Sequence, residues 1–421
     1  MSKKEVIQKT GKWLVVSLIF IMALRITTYF MISESAAVTQ AFKTGLRVIL
    51  TGVCILLCQK LSSPRDPVRF EYRNILPLFF YLMYLMLGIA SLMWTSDVAD
   101  SGLQIVMDIE CVVFVWYYWK VVLLLNTKAA FGARAPMSRI LWVATLIVLM
   151  VFTVGVWIFP DTFYRETHGG EVARLGGFII NPNELGMLIV VATAAVYMDI
   201  RERGKASFWL VFAWIDFLYC LLLTGSRSSL ISFFLATFYF VLISGNRKMI
   251  VATFVAGIAA APVVFMTIFV KQGDVEEVMN MTGRIPFWQD LLTYNFPRRA
   301  LFGYGFMRID ELDKFDSLHS YAGAMTHNTF IQVLLNLGLM GVFTVFTQMW
   351  MTFRAMFREM RIHANLFHLC LGMFIPLFVN SLTEFGIWGE TNYGIMFYLL
   401  IIFMLVLHAR RGKVHLTPAQ T

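Results

Sequence analysis

The chain has 421 residues, 58% of them hydrophobic and only 14% charged, with 35 Lys and Arg against 26 Asp and Glu for a formal net charge of +9. Soluble domains carry about a quarter charged residues, so this composition excludes a soluble globular protein and implies a polytopic membrane protein. The five cysteines (Cys54, Cys58, Cys111, Cys220 and Cys370) all fall in apolar segments and read as small hydrophobes, with no CxxC or HExxH spacing to suggest a metal centre.

Apolar runs of roughly 17 to 25 residues predict an all-α fold of about twelve transmembrane helices. They lie near 13–32, 44–60, 75–94, 103–125, 140–159, 183–200, 207–223, 229–244, 250–270, 328–352, 366–382 and 393–408. The first is too long for a signal-peptide core and contains Arg25, so it is expected to be retained. Three parts follow: N-terminal helices (1–160), a core (161–352) with a polar loop at 271–326, and C-terminal helices with a tail (353–421). Arg201, Arg203, Lys205, Arg247, Lys248 and Arg410 fall between spans on one side, which by the positive-inside rule is cytoplasmic together with both termini. Short connections on the other side hold fewer cations: Lys43, Arg47, Arg165, Arg174 and Arg227. The basic excess therefore faces anionic lipid rather than nucleic acid, and the long loop lies outside the cytoplasm.

From about Arg165 onward, the outward connections are rich in arginine, glycine and amides. Asn181-Pro182-Asn183-Glu184 has the form of a helix start, with asparagine before proline and an acid at the positive end of the helix. Arg174 is then either a water-facing loop charge or an anion ligand at that helix mouth. Thr224-Gly-Ser226-Arg227-Ser-Ser229 is a tight turn, in which Arg227 either snorkels or joins serine hydroxyls and backbone N–H groups in a nest suited to phosphate. Gly283-Arg284 and Trp288 place a guanidinium near an aromatic plane, which serves either as an interfacial anchor or as a stacking platform for a sugar. Gly303-Tyr304-Gly305-Phe306 follows in the same loop. The acidic run Asp310, Glu311, Asp313 and Asp316 lacks cage-like spacing for a cation and reads as solvated loop. His327 stands at the start of the tenth span, beside Asn328 and Thr326 as caps. It either packs there or, kept neutral by the positive helix end, accepts a proton. Gly338 and Gly341 would let a neighbouring helix approach closely.

The string His327-Asn328, nine residues, Gly338, two residues, Gly341 resembles the signature of the O-antigen ligase and polymerase superfamily. Arg174…Asn181-Pro182-Asn183, the Arg227 turn and Arg284…Trp288 are similar to that family's pattern, in its order, over roughly Tyr164 to Met351. The resemblance implies a multi-spanning, GT-C-like glycosyltransferase of the bacterial cytoplasmic membrane. Such an enzyme transfers or polymerises an oligosaccharide from a polyprenyl diphosphate carrier onto a glycan, lipid or protein hydroxyl, outside the cytoplasm. The roles expected are a base for His327 and diphosphate binding for Arg174, Arg227 and Arg284, with Arg284 also catalytic. Trp288, Tyr304 and Asn328 are expected at the glycan or acceptor, and Asn181, Pro182, Asn183, Gly338 and Gly341 in structural positions. No cofactor and no metal are required, and the reaction inverts the anomeric centre. The competing reading is a transporter, since Arg25, Asp108, Glu110 and Lys120 all lie within helices.

Overall fold

Each of the twelve apolar runs forms a helix, and short helices and strands join them. The computed structural model describes residues 3–62, 68–128, 134–167, 172–264, 281, 283–306, 326–384 and 386–411. In chain order the elements are α1 (Lys3–Thr27), α2 (Ala36–Leu61), β1 (Val68–Tyr72), α3 (Leu76–Ser91), α4 (Val98–Thr127), α5 (Met137–Ile158), α6 (Pro160–Phe163), β2 (Tyr164–Thr167) and β3 (Val172–Leu175). They continue with α7 (Pro182–Arg203), α8 (Phe208–Thr224), α9 (Arg227–Ile243), α10 (Arg247–Val264), α11 (Arg284–Asp290), α12 (Thr329–Met360), α13 (Ala364–Ser381), α14 (Tyr393–Val406) and β4 (Leu407–Arg411). Among the described residues, six helices, α1, α2, α5, α7, α12 and α13, are long and apolar enough to cross a membrane, and α3, α8, α9 and α14 are shorter apolar helices. The protein is a multi-pass membrane protein.

Two helices form the centre. Every residue of α14 is buried, as expected of a helix hydrophobic all round, and it packs against α4, α13, α12 and α3. The other is α7, in contact with α5, α8, α9 and α13. Peripheral helices instead expose large apolar side chains such as Trp13, Trp209, Phe343 and Trp350, a surface suited to lipid. The all-α expectation missed two small antiparallel sheets, β1 with β4 and β2 with β3. The first pairs Val68 with Arg411 and Tyr72 with Leu407, tying the chain after α2 to the end of α14.

Arg25 and Glu110, which read in the sequence as intramembrane charges on a substrate path, satisfy each other. Arg25 is fully buried and forms two bonds to the Glu110 carboxylate, 2.9 and 2.6 Å, while the Thr51 hydroxyl donates to the same carboxylate at 2.5 Å. The guanidinium also lies 4.4 Å from the Phe114 ring centre. The pair locks α1 to α4, and a buried charge with its counter-charge in place needs no aqueous path to stabilise it. Lys120 likewise sits among aromatic rings, 4.1 Å from the centre of Trp116.

The helix carrying the histidine is broken. At Gly338, α12 leaves helical geometry (φ +62°, ψ −158°), a region open essentially only to glycine. The groups freed there are taken by the segment that follows α11. Leu339 and Met340 donate to the carbonyls of Ala300 and Leu301 at 2.9 and 3.2 Å, and Tyr304 and Gly305 donate to those of Leu335 and Asn336, both at 2.8 Å. Non-helical backbone at membrane depth is tolerated when protein groups satisfy it, and here they do. The expectation of helix–helix contact is therefore corrected at Gly338. Gly338 admits a turn whose Leu301 carbonyl a Cβ would strike, and a Cβ on Gly341 would meet Leu337 of its own helix.

Gly338→Ala should destabilise the protein by about 2 kcal/mol or more, from backbone strain plus loss of the seat for Leu301. Gly45→Ala, in mid-helix with nothing within 4 Å of the new methyl, should be neutral or stabilising by up to about 1 kcal/mol. Thermal unfolding in detergent distinguishes the two. Equal melting temperatures for wild type and Gly338→Ala would remove the role assigned to the break.

Candidate active site

The site forms where the starts of α7, α9, α11 and α12 meet the segment between α13 and α14. As its sequence suggests, α7 begins with Asn181 as cap, its side chain accepting from Asn183 N at 2.9 Å, and with Pro182 in the first turn. The α8–α9 turn is equally tight: Gly225 is left-handed and the Ser226 side chain caps α9 through Ser229 N. Arg227 is thus the first residue of its helix. Arg174 comes from the β2–β3 hairpin, where it pairs across the strands with Arg165.

A residue that sequence reading did not single out joins these parts. Glu384 lies in the C-terminal segment, outside the expected core, and is 2% exposed. One carboxylate oxygen accepts from Arg284 at 2.8 Å and from Asn183 Nδ2 at 2.6 Å, and the other lies 2.6 Å from His327 Nδ1. Arg284 also donates to the Thr383 carbonyl. Arg174 enters through Asn183, whose side-chain oxygen it meets at 2.6 Å, and bonds the Thr224 carbonyl at the end of α8 at 2.8 Å. Asn183, expected only as part of a helix start, is therefore the bridge between Arg174 and the carboxylate.

Burial opposes ionisation of Glu384, but His327 and then Arg284 outweigh it through charge and hydrogen bonding, and hold the carboxyl down at about 2. Burial lowers Arg174 to about 10; Glu384 acts against this, whereas the like charges of Arg227, Arg165 and Arg284 add to it. Arg227 thus belongs to the same electrostatic cluster. An ionised carboxylate only accepts, so His327 Nδ1 must carry the proton of the bond they share. The Nε2 lone pair of a neutral ring is then available to take another. The ring therefore faces the buried Glu384 carboxylate as well as the start of α12. His327 itself is held at φ +48°, left-handed and unusual for a residue with a side chain, directly before the cap of α12.

Three other expected contacts have different settings. Asn328, expected at the acceptor, caps α12: its oxygen accepts from Phe330 N and Ile331 N, and its nitrogen donates to the Leu382 carbonyl. Its side chain thus ties the start of α12 to the end of α13. Trp288 and Tyr304 pack around Phe287, Leu291 and Leu335, fixing α11 on the first turns of α12. Their polar tips bond the carbonyls of Thr326 (2.6 Å) and Asn295 (2.8 Å), so they build the wall that carries Arg284. Asp310, Asp313 and Asp316 lie outside the described residues. Among the described residues no group of three or more His, Cys, Asp or Glu is placed to hold a metal ion.

A cavity of about 370 Å³ opens beside the histidine, lined by His327, Glu384, Glu184 and Asn181 on one side and by Tyr29, just past α1, and residues of α2 and α4 on the other. The sequence placed Lys43 and Arg47 in an outer loop. They belong to α2, which starts at Ala36 behind the Ser35 cap, and both line the cavity.

Residues 206–346 match the family model described as O-antigen ligase. The matched stretch includes Arg227, Arg284 and His327 and leaves out Arg174 and Glu384. No curated protein matches the chain. Over that stretch, about a third of its length, the chain is similar to the O-antigen ligase family.

Glu384→Gln should cost on the order of 3 kcal/mol, because it leaves Arg284 beside His327 without a buried counter-charge. The carboxyl is depressed from 4.5 to about 2 on folding, so its stabilisation is present above pH 4.5 and lost as pH falls toward 2. Melting temperatures of wild type should fall across that window more steeply than those of Glu384→Gln. Parallel curves would contradict the ion-pair geometry.

Proposed function

We propose that this protein transfers or polymerises an oligosaccharide from a polyprenyl diphosphate carrier onto a hydroxyl acceptor at the outer face of the cytoplasmic membrane. The observation that carries the reading is the buried Glu384 carboxylate holding His327 and Arg284 together at a cavity, in a chain similar over part of its length to the O-antigen ligase family. Support for the orientation comes from the uneven distribution of lysine and arginine, which puts both termini in the cytoplasm. The twelve helices are assigned as spans in a GT-C-like arrangement.

The chemistry follows from the charges. Outside the cytoplasm the donor must bring its own leaving group, and a lipid-linked diphosphate does so while its chain, at about 0.8 kcal/mol per buried methylene, stays in the bilayer. His327 Nε2 takes the proton of the acceptor hydroxyl, and the oxygen attacks the anomeric carbon. The bond from that carbon to the diphosphate oxygen breaks, and its electron pair leaves with the polyprenyl diphosphate. Attack opposite the leaving group inverts the centre. Glu384 keeps the ring oriented and stabilises the imidazolium as it forms, as the carboxylate of a Ser-His-Asp triad does. Negative charge grows on the leaving diphosphate, so Arg174, Arg227 and Arg284 bind the transition state more tightly than the ground state, each bond worth roughly 1.5 to 3 kcal/mol. These guanidinium groups supply the positive charge, and the reaction needs no added metal.

Purified protein supplied with a polyprenyl-diphosphate glycan should transfer it without ATP and in the presence of a chelator. His327→Ala should lower the rate roughly 10²- to 10⁴-fold with the fold intact. Arg227→Ala should raise the donor KM. Full turnover by His327→Ala would end the base assignment, and inactivity of the wild type in detergent combined with uptake in sealed vesicles would favour a transporter.

A further inference from the structure

The N-terminal helices contribute a wall to the site that their ordinary, apolar sequence hides. On α4, Asp100, Gln104 and Asp108 recur every four residues and so share one face of the helix. Asp100 and Gln104 line the cavity beside His327, opposite Glu184 and Asn181 at the start of α7, with Gln40 of α2 and Glu390 completing the polar wall. Asp108 continues the stripe behind the lining residue Thr391. It is fully buried and accepts the Thr391 hydroxyl at 2.7 Å with one oxygen, while its other oxygen has no hydrogen-bond partner among the described residues.

The chemistry of this wall differs from that of the arginine cluster. Among the described residues, none of Arg174, Arg227 and Arg284 lines the cavity, and its two cations come from α2. Of these, Arg47 is buried, donates to the Thr28 hydroxyl and carbonyl at 3.3 and 3.4 Å, and lies 4.4 Å from the Tyr29 ring centre. Carboxylates outnumber cations, and amides stand between them. Such a lining accepts hydrogen bonds from hydroxyls and repels phosphate. Its volume, about 370 Å³, lies within the roughly 300 to 1,000 Å³ of small-molecule sites. His327 and Glu384 stand at its boundary, with the arginines bonded to the far side of that carboxylate through Asn183 and Arg284.

We infer that the cavity between α2, α4 and His327 is the acceptor subsite, and that it takes an uncharged, hydroxyl-rich glycan end rather than a phosphorylated one. The inference rests on the glycan-transfer reading and deepens it. Donor and acceptor approach His327 from opposite sides, each selected by the charge of its wall: guanidinium groups for the diphosphate, carboxylates and amides for the sugar hydroxyls.

The test uses full-length protein in detergent, with polyprenyl-diphosphate glycan extracted from cells that make it as donor and membranes of a strain lacking the protein as acceptor source. Gln40→Trp fills the cavity from α2 and should lower transfer at least about tenfold, while affinity for the extracted donor stays within about twofold. Asp100→Asn and Glu390→Gln, which change no volume, should each lower transfer severalfold by raising the acceptor KM. Wild-type transfer by Gln40→Trp, or a parallel loss of donor affinity, would overturn the subsite. Faster transfer by Asp100→Asn or Glu390→Gln is the signature of an anionic acceptor and would overturn its chemical class. Should Gln40→Trp not fold, the two isosteric variants decide. Failure of the underlying reading looks different: the wild type itself would release no polyprenyl diphosphate.

Discussion

The Glu384 carboxylate is the constraint on which the rest of the site depends. Arg174, Arg227 and Arg284 lie in one electrostatic cluster beside His327, and without a counter-charge these guanidinium groups would repel one another and lose their hydration together. A single buried acid, bonded to His327, Arg284 and Asn183, makes the cluster stable and passes its effect to Arg174 through Asn183. The same bond selects the histidine tautomer. Structure and chemistry thus use one interaction: the charge that lets the arginines sit together also leaves Nε2 as the basic atom of the ring.

Holding that geometry requires rigid support on either side of the histidine. Asn328 caps α12 immediately after His327, and the break at Gly338 is clamped by the Ala300–Gly305 segment, which leads back to α11 and Arg284. The imidazole and the guanidinium are therefore carried by elements fastened to each other by backbone hydrogen bonds. At the far side, the Arg25–Glu110 pair fixes α1 to α4, and so fixes the wall that carries Asp100 and Gln104. The charges in the N-terminal helices serve architecture, and the polar stripe beside them faces the site.

Much of this was legible in the sequence, for identifiable reasons. Hydrophobic length located every long helix, because the hydrocarbon core imposes it. Asn181-Pro182 announced a helix start through local capping chemistry, Thr224–Ser229 read as a tight turn, and the arginine-rich connections pointed to His327. Glu384 was not legible. It belongs to no local pattern, and its meaning comes from partners 57 to 201 residues away. Asn328, Trp288 and Tyr304 show the converse: residue types suited to ligand contact also bond backbone carbonyls here, which residue type alone does not reveal. Gly338 was recognised as special for the wrong reason, since a small residue at a helix contact and a glycine at a break look alike in sequence. The Asp100–Gln104–Asp108 stripe was present in the sequence, but only the cavity gives it a direction.

The central claim is that Glu384 and His327 act as one unit, and a double-mutant cycle on the rate of glycan transfer tests it most directly. With Glu384→Gln, His327→Ala and the double variant compared in kcat, the account predicts that the double variant is no slower than His327→Ala alone, because the carboxylate acts through the ring. Rate losses that multiply would show that the two groups contribute independently, and would contradict it.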